Sequence, residues 1–202
     1  VQHAIDDLAV YARFLKDNPV EIQALFRELL INVTSFFRDP EAFVALKTSI
    51  LPPLLAAKPA GSVVRVWVAG CASGEEAYSI AMVLQELQDE AKRTHPQTWG
   101  YQIFATDLDD DAIATARAGS YPPNIAQDVT PDRLQHFFIK DQDERGGFKV
   151  KKLIREKVVF AVHSVIKDPP FTRLDCLSCR NLLIYLENEQ QDRLVPSFHY
   201  AL

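Results

Sequence analysis

The segment from Val63 to Arg93, VVRVWVAGCASGEEAYSIAMVLQELQDEAKR, constrains this chain more than any other. Its first seven residues are β-branched, aromatic or small and read as one buried strand. GCASGEE interrupts with two glycines, and AYSIAMVLQELQDEAKR then carries the periodicity of a long amphipathic helix. A second strand, Tyr101–Thr106, ends at Asp107, and DDDAIATARAGSY reads as a second helix whose acidic first turn suits its dipole. Strand, helix, strand, helix predicts an α/β protein with a doubly wound, mostly parallel, Rossmann-like sheet and right-handed crossovers. The sheet resumes with VVFAV and then with LDCLSCRNLLIYL, which reads as a strand throughout.

Two regions depart from that rhythm. Between Ser120 and Val158 stand Pro122-Pro123, a short helical piece PDRLQHFF, a polar turn DQDERGG and the period-two run FKVKKLI. They predict a small inserted β-subdomain at about 122–157. Ahead of the sheet, apolar residues recur at helical spacing from Ile5 to about Leu30. Asn18-Pro19 divides them into two helices, with Asn18 as N-cap and Pro19 at the first helical position. A third helix is expected from Asp39-Pro40 to about Ile50, ended by Pro52 and Pro53. This gives a helical N-terminal domain with its linker at 1–58 and a catalytic-type domain at 59–202.

Charge and cysteine usage remove several classes of function. The 202 residues carry a net charge of −5, which disfavours a nucleic-acid partner. The basic stretch KVKKLIREK, 149–157, reads as the solvated face of an amphipathic strand. No apolar run approaches bilayer-spanning length, so membrane insertion is not expected. VQHAIDDLAVYARFLKD lacks the basic start and apolar centre of a signal peptide, so a cytoplasmic location is expected. Cys176 and Cys179 form a CxxC with no second pair to complete a zinc site. Two reduced, buried thiols and no metal are expected there.

Four segments carry candidate chemistry. Gly70 and Gly74 sit between a strand and a helix start, where backbone can approach a ligand; a tight turn with a capping acid is the plainer alternative. Glu75 and Glu76 would repel a phosphate, and the spacing is not GxGxxG, which argues against a nicotinamide enzyme. Asp107, at a strand's carboxyl end, suits either the ribose hydroxyls of a nucleoside or a helix N-cap, a task Asp109 or Asp110 could take instead. In INVTSFFRDP, Asn32, Thr34 and Arg38 surround Phe36-Phe37. Arg38 suits a carboxylate, unless the segment is only a Thr34 or Ser35 cap beside core aromatics. In CRNLLIYL, Arg180 and Asn181 fall inside an apolar run with Tyr185 beyond, and buried polar groups need partners.

In order and over almost the whole chain, INVTSFFRDPEAF, VRVWVAGCASGEEAYSIAM, FATDLDDDAIATARAGSY and CRNLLIYL resemble the CheR family of chemotaxis-receptor methyltransferases. The resemblance implies a helical N-terminal domain, a doubly wound methyltransferase domain and an inserted β-subdomain. It implies S-adenosylmethionine as cofactor and S-adenosylhomocysteine as product. Asn32, Thr34 and Arg38 match the family's NxTxFFR motif at the methionyl end of the cofactor. Gly70 matches the loop glycine, Glu76 the cofactor-contacting acid, and Asp107 the acid for the ribose and adenosine. His163 and Ser164 stand where the family has Asn-Leu beside the adenine, so HSVIKD departs from the pattern. Arg180, Asn181 and Tyr185 match CRNxxIY near the transferred methyl. The implied substrate is glutamate on the cytoplasmic helical region of a chemoreceptor, with a receptor C-terminal peptide as a second partner of the β-subdomain. The chain stops on ENEQQDRLVPSFHYAL without the hairpin that closes a seven-stranded methyltransferase sheet. A truncated domain is therefore expected, with wording similar to versions fused to an esterase domain.

The expected reaction is in-line methyl transfer to a carboxylate already ionised at neutral pH, which needs no general base. Arg38 is expected to anchor a carboxylate and Tyr185 to shape the methyl channel. The alternatives are a non-catalytic cofactor- or receptor-binding sensor and a methyltransferase of the same fold with another substrate.

Overall fold

The computed structural model describes residues 7–22, 25, 33–94, 99–141 and 146–202. Residues up to Val33 form one compact unit and Thr34–Leu202 another. In the first, Leu8–Asp17 is a helix whose N-cap Asp7 accepts from the Ala9 amide, and helical backbone resumes at Pro19 after Asn18.

The second unit is built on four parallel strands. β1 (Val63–Ala69) lies between β2 (Gly100–Asp107) and β7 (Cys176–Ser178), and β6 (Val158–Val162) flanks β2, giving the order β6-β2-β1-β7. The chain therefore steps outward from β1 to β2 to β6 and then returns to the other side of β1. That reversal leaves a crevice at the carboxyl ends of β1 and β7, where open α/β sheets bind ligands. The register pairs Ala69 with Thr106, Asp107 with Val162 and Val68 with Ser178. Gly70, Asp107, His163 and Cys179 thus follow the strands along one edge.

β1 is hydrophobic because both its faces are covered. Val64, Val66 and Val68 join the main core with Tyr78, Met82 and Leu84 of the helix Glu75–Thr94. Trp67 and Ala69 enter a second cluster with Leu174 and Ala201, the latter from the helix Asn188–Ala201. Trp67 Nε1 donates to Thr106 Oγ1 at 2.9 Å, so the buried indole is satisfied.

Three features depart from the sequence reading. The compact unit begins at Thr34 rather than residue 59, because Phe36, Phe37, Phe43, Leu51 and Leu55 are buried in the same core as the sheet. The helix from Pro40 does not stop at Pro52-Pro53. It widens into a π turn at Leu46–Ile50, where the Leu51 amide donates to the Leu46 carbonyl, and continues as Leu51–Ala56. The π turn puts both prolines in the first turn of a new α segment, where a missing N–H costs little. LDCLSCRNLLIYL is a strand only at Cys176–Ser178. Beyond it Asn181 takes φ 57°, which no strand continues through, and Leu183–Tyr185 is a 3-10 turn.

A separate antiparallel sheet holds β3 (Ser120–Tyr121), β4 (Phe138–Lys140) and β5 (Phe148–Val150) in the order β3-β5-β4. FKVKKLI is strand only to Val150. Lys152–Arg155 is a short helix, so the basic run does not line a strand.

Candidate functional site

Gly70 leaves β1 at φ 75°, in the left-handed region, and its amide donates to the Thr106 carbonyl at 2.8 Å. Leu182 packs close against it, so a Cβ here would meet Leu182 Cδ2 at 3.2 Å. The loop returns through Gly74 into the helix of Glu75. The Ala72 amide donates to Asp107 Oδ2 at 2.7 Å, and the Asp109 amide donates to Asp107 Oδ1 at 3.1 Å. Asp107 therefore ties the loop to the end of β2, and each oxygen keeps acceptor capacity. It is not the N-cap of the next helix. Asp109 takes that task, accepting from Asp111 and Ala112 at 2.9 and 3.1 Å.

Around the crevice a polar cluster links three distant segments. Ser178 Oγ donates to Glu76 Oε1 at 2.6 Å, and Arg180 Nη1 donates to Glu76 Oε2 at 3.3 Å. Arg180 Nη2 also donates to the Arg38 carbonyl at 2.8 Å and to Asp39 Oδ2 at 2.7 Å. One guanidinium thus joins the end of β7, the first turn of the Glu75 helix and the Arg38 turn. Its planar fork can reach several acceptors, which an ammonium on a single stem cannot. Beside the cluster lies a cavity of about 320 Å³ lined by Phe43, Leu46, Ile50, Cys176 and Leu177, with Glu76 and Arg180 also in its wall.

The Arg38 turn is strained. Phe37 and Asp39 take φ 52° and 57°, left-handed values that disfavour a side chain by roughly 1–2 kcal/mol each. Phe36 is buried edge-on to Tyr121 and Phe138 of the inserted sheet, with centroids 4.9 and 5.5 Å away. Thr34 and Ser35 are half-buried and precede a turn rather than a helix. The helix starts at Pro40 behind Asp39, whose carboxylate goes to Arg180 and caps nothing.

Burial dominates the titration of the interior groups. It raises the Glu75 carboxyl above its ordinary value despite the Ser73 hydroxyl, whose one proton is shared between the two carboxylate oxygens at 2.8 and 3.0 Å. It also raises Cys71 well up, and raises Cys179, which the charge of Glu76 helps push to about 11. These thiols are protonated at neutral pH and are not nucleophiles. Burial of Cys176 raises its thiol too.

The cluster therefore gathers Arg38, Glu76 and Arg180, with Gly70 and Asp107 along the same strand-end edge. Ser178 and Asp39 were missed in the sequence, where a serine in an apolar run and an acid before proline carry no distinctive signal. Asn32 lies outside the described residues. Asn181 is exposed, and Tyr185 is 55 % exposed on the 3-10 turn. His163 joins the aromatic cluster of the other face, 5.6 Å from Trp67 and 5.4 Å from Phe171, with Nε2 against the Pro169 carbonyl at 3.1 Å. Ser164 closes a local turn, its amide donating to Asp168 Oδ2 at 2.8 Å.

Comparison with known proteins follows the same geometry. A protein of Rhodobacter capsulatus, described as an uncharacterized 104.1 kDa protein, is 43% identical over 200 residues, covering 98% of this chain and 20% of that one. Chemotaxis protein methyltransferase 1 of Pseudomonas aeruginosa is 34% identical, covering 85% of this chain and 61% of that one. The chemotaxis protein methyltransferase of Escherichia coli is 31% identical, covering 96% and 65%. The chain thus spans less than two thirds of each of these relatives. Residues 32–202 match the family described as CheR methyltransferase, SAM binding domain. That match takes in the Arg38 turn, the glycine loop, Asp107 and Arg180, and by it this chain belongs to the CheR methyltransferase family.

Proposed function

We propose that the chain binds S-adenosylmethionine at the carboxyl edge of its sheet and transfers the methyl group to glutamate side chains of a chemoreceptor. The observation that carries this reading is the Arg180-centred cluster, which joins the Arg38 turn to Glu76 beside the β1–β7 crevice. The donor set fits the cofactor. Asp107 offers carboxylate acceptors for ribose hydroxyls at the end of β2, and Gly70 gives the left-handed turn that starts the loop beside it. Glu76 supplies a negative charge suited to an ammonium, and Arg38 a positive one suited to a carboxylate. Thr34 and Asn32 precede Arg38 in the same motif, and Asn181 and Tyr185 follow Arg180 in theirs. His163 and Ser164 stand at the end of β6, in the place assigned to the adenine contacts.

When bound, S-adenosylmethionine supplies a methyl group activated by a positive sulfur. The chain has only to align a carboxylate oxygen with it and keep water away. A glutamate with an ordinary pKa of about 4.3 arrives ionised, so no residue need remove a proton. Tyr185 would frame the approach of the carboxylate. The acceptor in this reading is the cytoplasmic helical region of a chemoreceptor; the P. aeruginosa and E. coli relatives, named chemotaxis protein methyltransferases, support a substrate in chemotaxis. The three-stranded sheet is the surface for a receptor C-terminal peptide. The catalytic unit of this reading includes the Arg38 turn, from Thr34 onward, with the insertion at about 122–157. Among the described residues no helix is long and apolar enough to cross a membrane, and a cytoplasmic location follows from a cytoplasmic substrate.

The test is transfer of labelled methyl groups to a receptor cytoplasmic fragment. Label that is released by mild base, as from an ester, and that disappears when the receptor glutamates are changed to alanine supports the reading. Methyl transfer to another class of acceptor, with none to the receptor, would overturn the substrate. Arg38→Ala should lower kcat/KM by at least about tenfold, the loss expected for a charge-assisted contact.

A further inference from the structure

The strained turn that carries Arg38 is held from outside the site by two residues, Ser79 and Arg133, given no role above. Phe37 lies immediately before Arg38, and its left-handed φ of 52° decides the direction in which the next residue leaves the chain. Its amide donates to Ser79 Oγ at 3.0 Å, and Ser79 Oγ donates in turn to the Glu75 carbonyl at 2.7 Å. Ser79 is fully buried. Its one proton is committed to Glu75, so its lone pair is the acceptor for Phe37. On the ring side, the Arg133 guanidinium lies 4.0 Å from the Phe37 centroid. Arg133 is itself locked by a two-pronged contact with Glu86, at 2.7 and 3.1 Å. Backbone and ring of Phe37 are thus gripped by two different helices, an arrangement that over-determines an unfavourable conformation.

We propose that Ser79 and Arg133 are positioning residues for the cofactor site, holding the Phe37 turn so that Arg38 meets the amino-acid carboxylate of S-adenosylmethionine. The inference rests on the reading of Arg38 given above. Neither residue contacts the ligand. Their effect passes through the turn, so it falls on the carboxylate end of the ligand and spares the adenosine end.

The experiment is calorimetric titration of the whole chain with S-adenosylhomocysteine and with 5′-methylthioadenosine, which lacks the amino-acid carboxylate. Wild type, Ser79→Ala, Arg133→Gln and Arg38→Ala are compared, with Ser79→Ala also placed in the Arg38→Ala background. Ser79→Ala and Arg133→Gln should each weaken S-adenosylhomocysteine by about five- to tenfold, the effect of one lost or misdirected hydrogen bond. Methylthioadenosine should change by less than about twofold, and the Ser79→Ala loss should vanish once Arg38 is absent. Equal losses for both ligands, or a Ser79→Ala loss undiminished in the Arg38→Ala background, would overturn the proposal while leaving the cofactor site in place. A folded wild-type chain that bound neither ligand would overturn the cofactor reading and this inference with it. The Arg133 side chain is 24% exposed, so Arg133→Gln reads the same effect even where Ser79→Ala folds poorly.

Discussion

Arg180 is the residue on which most of the site converges. It faces the Glu76 carboxylate, the Asp39 carboxylate and the Arg38 carbonyl, and its guanidinium lies 5.3 Å over the Phe43 ring. Removing it leaves the part-buried Glu76 carboxylate without the guanidinium, facing Ser178 Oγ at 2.6 Å. Arg180→Ala should therefore destabilise the fold by about 2 kcal/mol, measured by urea denaturation. Arg180→Lys should recover only part of that, because a single ammonium cannot span acceptors on three segments. Full recovery by lysine would mean that charge alone matters there. The polar residues in CRNLLIYL pointed to a site from sequence, since buried charge without partners is costly. Their partners were not legible, because Asp39 and Ser178 stand far apart in the chain and only the fold brings them together.

The elements around the site are set by local rules that the sequence shows unevenly. Gly74 is an instance where the rule is visible. At φ 95° an added Cβ would lie 2.8 Å from Ala116 Cβ and 3.1 Å from the Phe160 ring. Gly74→Ala should cost about 2–4 kcal/mol by the same denaturation assay, from strain and overpacking together. The helix Glu75–Thr94 makes a second prediction through Glu86. Burial would raise its carboxyl, but hydrogen bonds and charges from Arg133 and Lys47 outweigh that and hold it below the ordinary 4.5. A depressed folded pKa contributes stability that is present above the ordinary value and lost as pH falls through the folded one. Glu86→Gln should thus lower Tm at pH 7 by about 2–4 °C, with the gap from wild type closing as pH drops below about 4.5. A gap independent of pH would show that packing, not charge, is involved. Strands β1, β2 and β6 were readable because their apolar runs are continuous and bounded. β7 was overread, because the apolar residues after Arg180 serve a left-handed Asn181 and a 3-10 turn that packs Leu182 on Gly70. Pro52-Pro53 misled for a related reason: a π turn, invisible to apolar periodicity, moves both prolines to where they do no harm.

At the scale of the molecule, the strand order β6-β2-β1-β7 brings the glycine loop, Asp107 and Arg180 to one edge, and Arg180 ties the Arg38 turn to it. The alternation of strands and helices was enough to expect a doubly wound sheet. The joining of the Arg38 turn to the same core was not, because nothing local to Phe36 and Phe37 says which aromatic residues they will meet. They pack against Tyr121, Phe138 and Phe43, and so bind the inserted sheet and the helix from Pro40 to the Arg38 turn. The neighbours of His163 were equally illegible: its ring lies beside Trp67 and Phe171, which are far from it or unmarked in the sequence. The central claim is that this edge binds S-adenosylmethionine through Asp107. It is tested most directly by calorimetric titration of S-adenosylhomocysteine into the chain and into Asp107→Ala, with folding of both checked by circular dichroism. Micromolar-order binding is expected for the chain, weakened at least about a hundredfold in the variant, the loss that follows removal of a charged hydrogen-bonding partner. Undiminished binding to a folded Asp107→Ala chain would contradict it.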